Sequence, residues 1–267
     1  MATAVFNPRP TSLSFASTAS LYFKETKYEF LKLLRAKTFS LSVIGFPLMF
    51  YVLFGISMNR DANLGGITLA KYLLATYSCF GLIGASLFGI GVGLASERAQ
   101  GWIEVKQASP MPPLAYLLAK AFTAIAFGLI IVTLLLVLGT SFAHVHVTGL
   151  EVAKLMGITI AGSVPFASMG LLLALLVPVT AAPGIVNLIY LPMSFASGLW
   201  IPISVLPKFV RAIAPALPTY HLAQLALHEM GYPAAGSMAI HWEALAGFTV
   251  LLLGMSAYVF RRAAARA

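Results

Sequence analysis

The sequence predicts an all-α integral membrane protein. It reads as a six-transmembrane-helix bundle, with an N-terminal amphipathic interfacial helix and an outer re-entrant helical segment between spans five and six. Three observations predict this. Of 267 residues, 60% are hydrophobic and 9% charged, against roughly 25% charged in a soluble domain. Apolar runs of about the 20 residues that cross the hydrocarbon as a helix recur from Thr38 to Phe260, with no long polar stretch between them. The basic residues behind the formal charge of +9 flank those runs instead of forming a stripe with interleaved aromatics, which fits membrane orientation and argues against nucleic acid as a partner. The chain divides into residues 1–37, a cytoplasmic tail with the amphipathic helix, and residues 38–267, the transmembrane domain.

The six spans are Phe39 to Ser57, Tyr72 to Ala95, Leu114 to Ala143, Val152 to Val177, Gly184 to Ile203 and Ala244 to Phe260, the last starting nearer Ile240. With the amino terminus inside, twelve Lys and Arg residues lie on the inner side and five on the outer: Arg60, Lys71, Lys154, Lys208 and Arg211. The positive-inside bias then predicts that both termini are cytoplasmic. Residues 1–20 lack acids and are rich in Ser, Thr and Ala; they read as a disordered tail, with a transit peptide as the alternative.

From Leu21 to Arg35 the spacing is helical and two-faced. Tyr22, Phe23, Phe30, Leu31, Leu33 and Leu34 share one side, and Lys24, Glu25, Glu29, Lys32 and Arg35 the other. Such a helix either lies in the inner interface near anionic head groups or packs on a partner. In the second span, Gly81, Gly84, Ala85, Gly89 and Gly93 form a small-residue stripe that includes a GxxxG, a pattern that lets helices approach closely. Pro47, Pro165 and Pro192 interrupt other spans and predict local kinks. Between spans five and six, Pro202, Pro207, Pro215 and Pro218 break a moderately apolar stretch, which reads as an outer re-entrant or interfacial hairpin.

Chemistry is notable mainly by absence. The sequence holds no GxxxxGK[ST], GxSxG or HExxH and has one cysteine, Cys79, so neither nucleotide binding nor nucleophilic or zinc hydrolysis is legible in it. No metal site is expected, although His144 and His146 are two apart on the outer side, where His221, His228 and His241 also fall. Within the bounds given, with the last span counted from Ala244, the six spans contain no Asp, Glu, Lys, Arg or His apart from Lys120 and Lys154 near span ends. This disfavours an ion-coupled transporter or an intramembrane hydrolase, both of which need ionisable groups at depth.

The informative segment is the inner loop from Ser96 to Lys120. Glu97, Arg98, Glu104 and Lys106 stand beside Trp102 and Ile103, and Ser109, Pro110, Pro112 and Pro113 close the segment. Charges next to a large aromatic suit docking into a partner's groove, whereas a solvated loop joining two spans is the plainer reading. Glu97, Arg98, Gly101, Glu104, Ser109, Pro110 and Lys120 fit a segment close to E-R-E-x-G-[ST]-x-E-x-L-x-x-[ST]-P followed by Lys. On these residues the chain resembles the membrane (permease) subunit of type-2 ATP-binding-cassette exporters. Ala99 stands in place of the second acid and Trp102 in place of the small hydroxyl residue. The stretch from Leu206-Pro207 to Pro218-x-Tyr220 also resembles the family's outer re-entrant segment, with Leu217-Pro218 where Asn-Pro is frequent.

The resemblance covers most of residues 21–260. It implies a permease with no ATPase of its own, which pairs with a second copy or a similar permease in the lipid bilayer and docks separate ATP-binding-cassette ATPase subunits. No cofactor is implied in this chain; ATP and Mg would be bound by the partner ATPase. The coupling residues implied are Glu97, Arg98, Gly101, Trp102, Glu104 and Lys106, and the location implied is a bacterial inner membrane. An amphipathic drug, a lipid or a lipid-linked glycan would suit the uncharged spans as exported cargo. A non-transporting membrane scaffold or assembly factor is the alternative.

Overall fold

A computed structural model describes residues 15–58, 61–102, 105, 113–233 and 235–264. Helix α1 (Phe15–Arg35) passes through a short break at Ala36 into α2 (Lys37–Phe50), which continues as a π-helical turn over Tyr51–Ile56. Pro47 lies inside α2 just before that turn; it supplies no N–H to the ladder, and the looser π spacing takes up the resulting offset. A two-residue hairpin, β1 (Asn63–Leu64) against β2 (Ile67–Thr68), leads to α3 (Leu69–Ser86). Thr68 caps α3 by accepting from the Lys71 N–H, as N-cap hydroxyls do. A π segment (Leu87–Val92) and α4 (Gly93–Ala99) extend α3 into a continuous 31-residue rod from Leu69 to Ala99.

Beyond the loop come α5 (Pro113–Ser141) and α6 (Gly149–Leu176), then α7 (Ala182–Ala196), α8 (Lys208–Ile213), α9 (Pro218–Glu229) and α10 (Met238–Ala264). A capping box starts α6: Thr148 accepts from the Glu151 N–H at 3.2 Å, and Glu151 accepts from the Thr148 N–H at 2.6 Å. Each partner satisfies a donor that the first helical turn leaves over.

Among the described residues, five helices are long and apolar enough to cross a bilayer: Lys37–Ile56, Leu69–Ala99, Leu114–Ser141, Gly149–Leu176 and Met238–Arg262. The fifth segment expected from sequence, Gly184 to Ile203, is shorter. It is the apolar helix α7 of 15 residues, about 22 Å at 1.5 Å per residue. Gly198 ends it with a left-handed φ of +78°, which glycine adopts freely after a helix C-terminus. The backbone freed beyond it is tied to the rod, since the Tyr72 hydroxyl donates to the Gly198 carbonyl at 3.0 Å and the Tyr77 hydroxyl to the Trp200 carbonyl at 3.3 Å.

The Leu69–Ala99 rod is the mast of the molecule, touched by α2, α5, α6, α7 and α9. Its backbone runs close to that of α6, where a Cβ built on Gly170 would stand 3.1 Å from the Ser86 carbonyl oxygen and 3.2 Å from the Gly91 nitrogen. Gly91 and Gly170, one from each helix, therefore let the backbones meet. Gly89 and Gly93, the GxxxG of the sequence, have only ordinary neighbours in Leu33, Phe39 and Lys120. The proline-broken stretch forms α8 and α9, and from Pro218 to Leu227 every residue of α9 is buried. It wedges among α3, α6 and α10, where Cys79 donates its S–H to the Leu222 carbonyl at 3.8 Å.

Candidate functional site

At the end of α4, beyond the apolar part of the mast, four charged side chains converge from three elements. Lys120, in the second turn of α5, is 3% exposed, and a lone ammonium there requires carboxylates. It meets Glu29 of α1 at 2.7 Å and Glu97 of α4 at 3.0 Å, with the Tyr116 ring 5.0 Å from its nitrogen. Lys32 also pairs with Glu29, at 2.5 Å, and with Glu97, and the Tyr116 hydroxyl donates to Glu97. Two carboxylates and two ammonium groups close a neutral knot that ties α1, α4 and α5 together. Burial acts to lower the Lys32 pKa, but hydrogen bonds and charge from Glu29 and Glu97 outweigh it and raise the pKa above its ordinary value. Its share of the knot is therefore present at neutral pH and is lost only as pH rises past the usual lysine range.

This placement gives α1 a different orientation from the one its periodicity implies. Glu29, from the charged stripe, is buried at the knot, and Phe30 packs on Phe127 of α5 with centroids 5.4 Å apart. Phe23, from the apolar stripe, is 71% exposed. Helix α1 thus lies against α5 along the boundary between its two stripes.

Arg98 turns the other way. Its guanidinium donates to the Leu175 carbonyl at 2.9 Å and the Val177 carbonyl at 3.1 Å, two acceptors at the C-terminal end of α6 that have no onward helical donor. A cation here also complements the helix dipole. Gly101 follows with φ +73°; its N–H bonds back to the Arg98 carbonyl at 3.2 Å, and its own carbonyl accepts from Val105 at 3.3 Å. The left-handed residue ends α4 and reverses the chain.

The turn presents Trp102, 51% exposed, and Val105, 60% exposed, to the outside. Glu104, Lys106, Ser109 and Pro110 lie outside the described residues. The sequence-selected residues thus divide by role: Glu97 and Arg98 face inward as anchors, Gly101 makes the turn, and Trp102 points out. Glu29, Lys32 and Tyr116 belong to the same arrangement, although the motif did not single them out. The sequence signal for them is Lys120 itself, a cation inside an apolar run. Among the described residues, no three His, Cys, Asp or Glu side chains converge as a metal site would require.

Comparison with known proteins places this arrangement. The ABC-2 type transporter family matches residues 21–230, a range that includes α1 from Leu21 onward, the mast, the knot and all of α9. The chain is also similar to a Bacillus subtilis (strain 168) protein named "Putative transport permease YvfS", with 27% identity over 242 residues, covering 90% of this chain and 96% of that protein. With its long apolar helices, the chain is a multi-pass membrane protein that belongs to the ABC-2 type transporter family, as a permease subunit.

Proposed function

We propose that this chain forms the membrane pathway of an ATP-driven exporter and is driven by a separate ATPase that docks on the loop after α4. The observation that carries this reading is the division of labour at that loop. Glu97 and Arg98 fix its base to α1, α5 and α6, while Trp102 and Val105 stand exposed at its tip. A rigid base lets a push on the tip reach three helices at once, and a large aromatic beside charges suits a partner's groove. ATP and Mg belong to the partner, since the sequence has no phosphate-binding loop. Differential contacts with the nucleotide-bound ATPase would then favour one access state of the pathway.

The pathway needs a second copy or a similar permease, in a bacterial inner membrane with both termini cytoplasmic. The cargo class is an amphipathic drug, a lipid or a lipid-linked glycan. An aromatic group in which Phe80 stacks on Tyr190 at 4.8 Å and Trp200 packs on Phe50 at 5.7 Å, with Phe46 and Phe195 exposed at its margin, supports a cargo with flat or ring-like apolar surface.

The test compares Glu104→Ala with Glu243→Ala, whose parent residue is exposed near the opposite end of the bundle. Transport and co-purification of the ATPase should fall at least tenfold for Glu104→Ala and stay near normal for Glu243→Ala, since truncating one member of a desolvated charge pair costs about 2 to 5 kcal/mol. Equal, near-normal behaviour of both would remove Glu104 from the docking surface.

A further inference from the structure

Two histidines that the transport reading leaves unused meet at the end of the bundle opposite the loop. His221 of α9 and His241 of α10 are buried, at 8% and 1% exposure, and their Nδ1 atoms stand 2.9 Å apart. The far nitrogen of each ring faces a backbone carbonyl: His221 Nε2 is 2.9 Å from the Pro215 oxygen and His241 Nε2 is 3.0 Å from the Ala235 oxygen. A carbonyl only accepts, so each Nε2 carries a hydrogen, and a neutral ring then presents a bare lone pair at Nδ1. Two lone pairs at 2.9 Å repel, whereas one proton between them makes an N–H···N bond. A second proton would set N–H against N–H in a buried site. The geometry accepts one proton for two rings.

Among the described residues, the rings that flank the pair carry no charge. Tyr220 lies beside both rings, with centroids 5.5 and 6.0 Å away, and Phe248 lies 6.5 Å from His221. Among the described residues of the elements packed against α9 and α10, charged and titratable groups either bond elsewhere or stand exposed. Lys71 of α3 pairs with Glu151 of α6 at 2.6 Å, and Lys154 of α6 pairs with Glu229 at 2.8 Å, where His228 also lies. Tyr72, Tyr77, Cys79 and Tyr190 bond the carbonyls of Gly198, Trp200, Leu222 and Phe80. Lys208 and Arg211 of α8 are exposed, as is Glu243, which lies two residues beyond His241 and so on the far side of α10. Burial lowers the pKa of His221 against the opposing effect of its bond to Pro215.

We propose that His221 and His241 form a one-proton site that latches the α8–α9 hairpin to α10 and releases it in acid. Undocked, two solvated imidazoles each take a proton near pH 6.5; docked, the pair holds one. Below that pH the undocked form binds one proton more, so the docked-to-undocked ratio falls about tenfold per pH unit. Coupled sites of this kind titrate as a pair, in separated steps.

The test uses the full chain in lipid nanodiscs with 15N-labelled histidine, alongside a His221→Gln/His241→Gln double variant and His228→Gln as an exposed control. From pH 8 to 5, the two rings should together gain one proton while docked. Amide exchange across Tyr220 to Leu227, corrected for its intrinsic pH dependence, should accelerate about tenfold per unit below pH 6. The double variant should show no such acceleration, and the control should match the parent. Two independent protonations near pH 6.5 with unchanged exchange would overturn the proposal, as would the same acceleration in the double variant. If the double variant does not fold, the parent's spectrum decides alone: two rings that stay neutral down to pH 5 refute the site.

Discussion

The mast and the last helix are both long, apolar and able to span a membrane, yet they live in different surroundings. In the most apolar window of the Leu69–Ala99 rod, 83% of residues are buried inside the protein, against 17% for Met238–Arg262. The first span resembles the last, at 22%. Similar hydropathy thus encodes two situations: one helix is surrounded by other helices of the same chain, and the other leaves most of its surface open to the outside. The difference lies in side-chain size and polar decoration. The mast carries glycines at its tightest contacts and hydroxyl groups that bond carbonyls beyond the apolar helix α7, whereas α10 exposes Val250, Leu251, Leu253, Met255 and Phe260.

Substitutions at the base of the mast should do the most damage. Lys120→Met leaves Glu29 and Glu97 facing each other with only half-exposed Lys32 between them, and breaking a buried pair costs about 3 to 5 kcal/mol. Unfolding in detergent at pH 7.5 should show that loss, and a change below about 1 kcal/mol would mean that water already solvates the knot. Next comes the glycine contact. Gly170→Leu must force apart the backbones of the mast and α6 and should destabilise by about 1 to 3 kcal/mol. Leu251→Ala, on the open face of α10, should stay within about 0.5 kcal/mol in the same assay. Equal losses at the two positions would erase the contrast between the helices.

Much of this was legible in the sequence. Apolar run length locates the long spans, whereas Gly101, read in the sequence only as a motif residue, is shown by its left-handed φ to make the turn that ends α4. The extent of α7 was not legible from hydropathy, because the apolar run continues through Gly198 to Ile203 while the helix stops where the left-handed glycine turns the chain. The orientation of α1 was hidden for another reason. Periodicity assigns Glu29 to a solvated stripe, and only the buried ammonium of Lys120, 91 residues away, makes its burial favourable. Arg98 reads as a docking charge beside Glu97, yet its guanidinium caps α6, an assignment that depends on where a distant helix ends. The histidine pair, 20 residues apart, follows no motif spacing.

In the proposed function, the exposed tip of the loop after α4 receives the ATPase. A photo-crosslinking amino acid placed at Trp102, and in a second variant at Met58, addresses it in cells that also produce the partner ATPase. Both positions are exposed, at 51% and 57%, and they lie at opposite ends of the bundle, beyond the end of α4 and beyond the end of the first span. The account predicts a crosslink to the ATPase from position 102 and none from position 58. A crosslink from position 58 without one from position 102 would contradict it.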